Sequence, residues 1–264
     1  KKIIVATGAK ENYLAFPGST LPGVMGAGAA QTMINVNRVL PGQRILMVGS
    51  GNVGLIVSYQ LMQAGADVVA LVEAAPNIGG YGVHAGKIRR AGVPFYIGHT
   101  IKAVTGDGQV EHVEIVAVDS KFQHIPGTEK SFDVDTVCLA VGLNPMTELL
   151  WMTGCEFCFI PAFGGHVPLH DSNMETTVPG LYVAGDVTGV EEASSAMEEG
   201  NLAGVSAAEA LGLLSKEEAQ EKKAEILARL ETLRSGLFGE KRRTAKTSQL
   251  QSMSDYQARK GGTL

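Results

Sequence analysis

The stretch "RILMVGSGNVGLIVSYQLMQAGADVVALVE" (44–73) constrains the fold more than any other part of the chain. It runs from an apolar segment through a glycine turn into a helix-like segment, then into a second apolar run. That is one strand–helix–strand unit. Gly49, Gly51 and Gly54 spell G-x-G-x-x-G directly between strand and helix, and Glu73 closes the second strand about 20 residues on. Gly49 makes the tight turn, Gly51 lets the backbone approach a pyrophosphate, and Gly54 lets the helix pack close on the strand. The helix start, with Asn52 and Val53, offers free N–H groups and a positive dipole end to phosphates. A carboxylate at Glu73 accepts hydrogen bonds from both ribose hydroxyls and repels a 2′-phosphate, so the pattern predicts NAD rather than NADP.

A second strand–turn–helix lies in "VPGLYVAGDVTGVEEASSAMEEG" (178–200). A buried strand delivers Gly185 and Asp186 to a sheet edge, and a helix starts a few residues later. A carboxylate there can accept hydrogen bonds from vicinal hydroxyls of a polyol, and the helix N-terminus can stabilise negative charge on a ring carbonyl. A flavin carries both groups. A helix-capping role for Asp186 explains the same residues. The opening "KKIIVATG" also reads as a buried strand ending in a glycine turn, and no sheet-forming sequence precedes it.

Together, "IIVATGA" (3–9), "GSGNVG" (49–54), "VCLAVGLNP" (137–145) and "GLYVAGDVTG" (180–189) resemble the two-dinucleotide-binding-domain flavoproteins, the pyridine nucleotide-disulfide oxidoreductase family. The resemblance covers about residues 1–212. It implies a discontinuous FAD-binding domain split by an inserted NAD domain. The strand ending at Thr7 and Gly8 would leave the first FAD segment, and the strand ending at Gly142 would close the NAD domain. Gly185 and Asp186 would meet the flavin ribityl chain, with Glu191, Glu192, Ala193 and Ser194 near the start of the helix aimed at the ring. The family's first glycine fingerprint, which grips the FAD pyrophosphate, has no match here. The opening strand is therefore expected to be the trailing part of an FAD domain completed by another segment or chain. Residues 164–212 further resemble the flavoprotein subunits of amine and imino-acid oxidising complexes, among them sarcosine oxidase, dye-linked L-proline dehydrogenase, opine oxidase and hydrogen cyanide synthase. That implies FAD and NAD as cofactors, an amine or amino-acid substrate and, as partner, a second flavoprotein subunit.

The fold class expected is α/β: a Rossmann-like NAD domain with a three-stranded meander, inserted in a partial, discontinuous FAD-binding domain, plus a C-terminal helical tail. The boundaries expected are 1–40 for the first FAD segment and linker, 41–146 for the NAD domain, 147–212 for the returning FAD segment and 213–264 for the tail. Residues 143–179 read as irregular. "SKEEAQEKKAEILARLETLRSG" (215–236) reads as a helix opened by a Ser215/Glu218 capping box, with Ala219, Ile226, Leu227, Leu230 and Leu233 on one face. Residues 240–264 read as a polar, mobile tail, and "EKRRTAK" (240–246) as solvated.

Charge separates the tail from the rest. Residues 216–264 carry 11 Lys/Arg against 7 Asp/Glu, net +4, while the remainder carries −9 of the total −5. Such asymmetry can mark a segment with its own partner. The mildly acidic whole gives no nucleic-acid footprint. Three cysteines in 264 residues fit a reducing compartment, and no stretch of 18 apolar residues or basic-then-apolar leader occurs, so the expectation is a cytoplasmic protein without a membrane span.

Cys155 and Cys158 form C-x-x-C, which raises a disulfide-reductase reading, but the pair follows the NAD domain in a loop-like stretch and no second C-x-x-C completes a metal site. His166 and His170 in "HVPLHD" are roughly 13 Å apart on an extended strand, too far to share a metal. No metal site is expected. The leading functional expectation is an FAD- and NAD-dependent oxidoreductase, or its nucleotide-binding subunit, within an amino-acid or amine dehydrogenase complex. A non-catalytic subunit that binds NAD or ATP is the alternative from another class.

Overall fold

A computed structural model describes residues 1–261, with the side chains at 237 and 238 outside the description. The chain forms two compact units: residues 11–142, and residues 1–10 together with 143–264. The first two strands are β1 (Ile3–Val5) and β2 (Ala9–Glu11).

The unit 11–142 contains β3 (Val24–Gly26), α1 (Ala27–Thr32), β4 (Arg44–Val48), α2 (Asn52–Gln63), β5 (Asp67–Glu73), α3 (Gly82–Arg90), β6 (Phe95–Ile97), β7 (His99–Thr105), β8 (His112–Ala117), β9 (Lys130–Asp133) and β10 (Thr136–Leu139). Five of these strands form one parallel sheet in the order β3-β10-β4-β5-β6. The strand run RILMV of β4 is buried on four of its five residues, as a central parallel strand requires. One face of the sheet packs on the helices through Ile45, Met47, Leu55, Leu61, Leu71 and Ile88. The other packs on an antiparallel meander β7-β8-β9 through Leu46, Val72, Ile101, Val113, Ile115 and Val137. The α/β class and the three-stranded meander are as the sequence leads one to expect.

Two runs that look like single strands in the sequence divide in the structure. "VPFYIGHT" splits at Gly98, whose φ is +69°, into β6 of the parallel sheet and β7 of the meander. "SFDVDTVCLAVG" splits at residues 134–135 into β9 and β10. Residues 11–40 also differ from expectation. β3 pairs with β10, Val24 to Val137 and Met25 to Cys138, so this segment belongs to the sheet of β4 and β5 and to the unit 11–142, not with residues 1–10.

The other unit continues with β11 (Leu143–Pro145), α4 (Glu148–Met152), β12 (Phe157–Ile160), β13 (Gly165–Pro168), β14 (Leu181–Val183), α5 (Ala193–Ala210), α6 (Lys216–Leu233) and α7 (Gly236–Gly261). Residues 143–179 are therefore not irregular; β12 and β13 form a hairpin. β1 and β14 pair in parallel, Ile3 to Leu181 and Val5 to Val183. Ser215 and Glu218 make the capping box in full. On α6, Ala219, Ile226 and Leu230 are buried, whereas Leu227 and Leu233 are exposed, so the packing stripe is narrower than the sequence suggests.

The largest departure is the tail. Residues 236–261 form one helix, and Ala245, Lys246, Gln249 and Met253 are buried on it. The sequence hides this because the stripe is one residue wide per turn and half polar. Its partner is α5. All five acids on or just before α5 are paired to the tail: Glu191 and Glu199 to Arg234, Glu199 to Lys246, Glu192 to Arg242, Glu198 to Arg229 and Glu209 to Lys223. The charge asymmetry thus marks a segment whose partner lies in the same chain. No helix among the described residues is long and apolar enough to cross a membrane.

Candidate functional site

In the unit 11–142 the glycine turn follows β4 and opens α2, beside the end of β10. The chain proceeds from β4 toward β5 on one side, while β10 lies on the other. This is the point where strand order reverses, and ligands of such sheets bind in the crevice there. Gly49 has φ +104°, and a Cβ on it would overlap the Ala140 carbonyl oxygen. A Cβ on Gly54 would overlap the Gly49 carbonyl oxygen. Gly51, with φ −64°, has nothing within 4 Å of a would-be Cβ. The first and third glycines therefore serve the fold, and the middle one leaves open space where a ligand can approach the backbone.

Glu73 is pinned. Its Oε2 accepts from Ser50 N (2.9 Å) and Ser50 Oγ (2.5 Å), and its Oε1 accepts from Ala75 N (2.8 Å). Ser50 Oγ in turn accepts from Gly79 N (3.0 Å), and Asn52 Oδ1 accepts from Tyr81 N (2.9 Å). Gly80 N also donates to Ser50 O (2.8 Å), so the loop after β5 is tied to the glycine turn at three points. Sequence reasoning misses Ser50; the signal for it is the hydroxyl between two motif glycines, opposite the strand-ending acid. No side chain caps α2, whose N-cap is Gly51, and Val53 on its first turn is exposed. The free end of α2 can receive an anion. A cavity of about 620 Å³ adjoins the turn, lined by Gly49, Gly51, Glu73, His99, Lys102 and His124 among others. Gly142 (φ +102°) ends this unit, its carbonyl accepting from Asn12 N (2.9 Å). A second residue missed by sequence reasoning is Glu11, whose Oε1 accepts from Gly28 N (2.7 Å) at the start of α1.

In the other unit, two loops leave the same edge of the β1–β14 pair. After β1, Thr7 Oγ1 donates to Met146 O (2.6 Å), and Gly8 O accepts from Met146 N (2.9 Å). After β14 comes a 3₁₀ turn over Gly185–Thr188, then α5. Asp186 is half-buried; burial, first, raises its carboxyl above the usual range, and Oδ1 accepts from Glu191 N (3.3 Å). The Asp186 carboxylate does not cap α5, whose N-cap Glu192 makes no side-chain cap bond and whose Ala193 and Ser194 are exposed. This turn is held from beneath by Glu199, fully buried, whose Oε2 accepts from Gly185 N (3.0 Å) and Thr188 Oγ1 (2.9 Å). Burial alone would raise the Glu199 pKa, but Lys246 and Arg234 outweigh it and hold the carboxyl down at about 2. Nothing in the sequence singles out Glu199 or Lys246.

Cys155 and Cys158 lie in different apolar clusters, Cys155 with Leu150 and Val183 and Cys158 with Phe163 and Val167. Cys155 hydrogen-bonds Thr176 Oγ1 at 3.4 Å, and both thiols are free. His170 is buried and donates from Nδ1 to Asp171 O (2.8 Å), while His166 packs on Phe159 and Trp151. Among the described residues no cluster of His, Cys, Asp and Glu could hold a metal.

The pyridine nucleotide-disulphide oxidoreductase family matches residues 1–200. The chain belongs to that family. Among curated relatives, this chain is 29% identical to an opine oxidase subunit of Agrobacterium tumefaciens (strain Ach5), over 81% of this chain and 44% of the relative. It is also 29% identical to the HcnB subunit of hydrogen cyanide synthase from Pseudomonas aeruginosa, over 92% of this chain and 56% of that one. The chain spans about half the length of these relatives. Among solved structures, T. acidophilum thioredoxin reductase shares the fold with a TM-score of 0.65, at 24% identity over 78% of this chain and 64% of that one.

Proposed function

We propose that this chain is the nucleotide-binding part of an FAD- and NAD-dependent oxidoreductase working in an amino-acid or amine dehydrogenase complex. The observation that carries the reading is the pinned Glu73 beside an open Gly51 and an uncapped helix end. That set fits an adenosine diphosphate: pyrophosphate on the amides of the turn and α2, and a ribose diol on Glu73. Ser50, Ala75 and Gly79 keep the carboxylate and loop ready, so little ordering is left for the ligand to drive.

The second turn fits a flavin by the same test. Asp186 offers acceptor oxygens to ribityl hydroxyls, and the exposed start of α5 offers N–H groups to a ring carbonyl. When bound, FAD and NAD supply the redox chemistry as a two-electron transfer between nicotinamide and flavin; the protein binds, orients and excludes water. Ile3 and Ile4 of β1 are 63% and 43% exposed, although parallel strands normally have both faces covered. Further polypeptide seated on β1 would complete this site. Support for the complex comes from the names of the two relatives, each one subunit of an oxidase or synthase acting on small molecules.

Native mass spectrometry of the protein from its source, with released cofactors identified, tests the reading. A flavin-bearing assembly with a second subunit supports it, and NADH bleaching of that flavin supports catalysis over mere nucleotide binding. A flavin-free chain holding only NAD or ATP would favour the non-catalytic subunit instead. The separate placement of Cys155 and Cys158 gives no support to a disulfide reductase.

A further inference from the structure

Three side chains of the C-terminal tail converge on the 3₁₀ turn Gly185–Thr188. Lys246 Nζ donates to Thr188 Oγ1 (3.2 Å) and pairs with Glu199 Oε1 (3.0 Å). Gln249 Nε2 donates to Thr188 O (3.0 Å) and to Pro168 O (2.8 Å). Arg234 pairs with Glu199 Oε1 (2.6 Å) and forks onto both oxygens of Glu191, whose own N–H donates to Asp186. One carboxylate therefore faces two ways: Oε2 of Glu199 holds the turn, and Oε1 holds the tail. A carboxylate this deeply buried is tolerated only while its cations are in place; remove them and it must find water or a proton. Water draws the carboxylate away from Gly185 N and a proton strips its charge from that bond, so either response weakens the floor of the turn that carries Asp186.

We propose that α7 is an ionic strap and Lys246 a positioning residue for the cofactor-facing turn, so that docking of the tail and retention of the flavin reinforce each other. The reinforcement rests on the flavin reading of Asp186. Lys246 itself need not touch the cofactor; it acts through Glu199 and Thr188. By reciprocity, whatever the docked tail adds to flavin affinity, the flavin adds to tail docking. The strap is a mixed one. Lys246 sits 5.0 Å over the Phe163 ring, and Ala245 packs with Phe163 and Val167, so the ion pair is sealed from solvent by apolar neighbours.

The test is amide hydrogen exchange on the full chain, comparing the natural protein with K246M and K246R, first without added cofactor. K246M is expected to exchange at least about tenfold faster both in residues 236–261 and in residues 184–191, with K246R restoring the turn. Loosening of α7 with the turn unchanged overturns the proposal, as does no change in either. Should K246M not fold, Q249L removes the bond to Thr188 O without touching a charge and is expected to give the same pattern in smaller degree; a turn unaffected by Q249L counts against the strap. In the second arm FAD is added. It is expected to slow exchange of α7 and to bind K246M at least about tenfold more weakly. Equal affinity for both proteins overturns the positioning role. FAD binding to neither overturns the flavin reading and the cofactor half of the proposal, while the first arm still decides whether the strap holds the turn.

Discussion

At the scale of single residues, the glycine turn separates binding from folding. A Cβ at Gly51 meets open space at a φ any residue adopts, so Gly51→Ala should leave the thermal midpoint within about 2 °C while abolishing detectable NADH binding. Gly49→Ala meets the Ala140 carbonyl at a positive φ and should destabilise the unit by about 2 kcal/mol or more. Differential scanning fluorimetry with and without NADH checks both; equal unfolding of the two variants would sink the division. Glu73→Gln keeps the shape but removes the charge. It should weaken NADH binding by about tenfold and narrow the gap between NADH and NADPH, read by fluorescence titration. An unchanged preference would show that the acid does not set cofactor choice. Two of the cysteines are quiet residues. Burial pushes the Cys138 thiol up to about 12 and raises that of Cys158, so neither should react quickly with a thiol reagent at neutral pH in the folded protein.

At the scale of elements, α5 and α7 share buried charge, and that makes stability follow pH in a stated direction. His170 is fully buried, and burial first, then the Lys246 ammonium, lowers its pKa from 6.5 to about 4. Its folded pKa lies below its unfolded one, so the unfolded chain binds the proton first and stability falls as pH drops from 6.5 to 4, by up to about 3 kcal/mol. Glu199, down from 4.5 to about 2, adds a further loss as pH falls below 4.5. Urea unfolding at pH 7, 6 and 5 should show the first decline, and His170→Gln should flatten it; an equal slope in both proteins would refute the assignment to His170. These groups also show where the sequence is legible and where it is not. The turns at Gly49 and Gly185 are readable because strand, glycine and helix are neighbours in the chain, and local order dictates local geometry. Glu199, Arg234 and Lys246 are not, because each looks like an ordinary helical charge and only tertiary packing, α6 on α5 and α7 on β12 and the Pro161–Phe163 turn, buries it. β9 and β10 read as one strand for a related reason: two adjoining apolar runs go to different sheets, and which sheet each joins depends on partners far away in sequence.

At the scale of the whole molecule, each of the two units builds its own candidate site. Glycine turn, Glu73 and cavity all come from residues 11–142, while Thr7, Gly8, Gly185, Asp186 and the start of α5 come from the rest. The first unit has its own sheet covered on both faces. A recombinant piece covering 11–142 should therefore unfold in a single cooperative step and bind NADH within about threefold of the full chain. Failure to fold, with the full chain intact, would show that the boundary is misplaced. The unit's two ends sharpen this. Asn12 N donates to Gly142 O at 2.9 Å, so the chain enters and leaves the unit at one point. A segment closed on itself in this way is a cassette. It can be lifted out, or set into a surface loop of another protein, with hardly any gap to bridge, and new termini can be opened elsewhere on it once the old ones are joined.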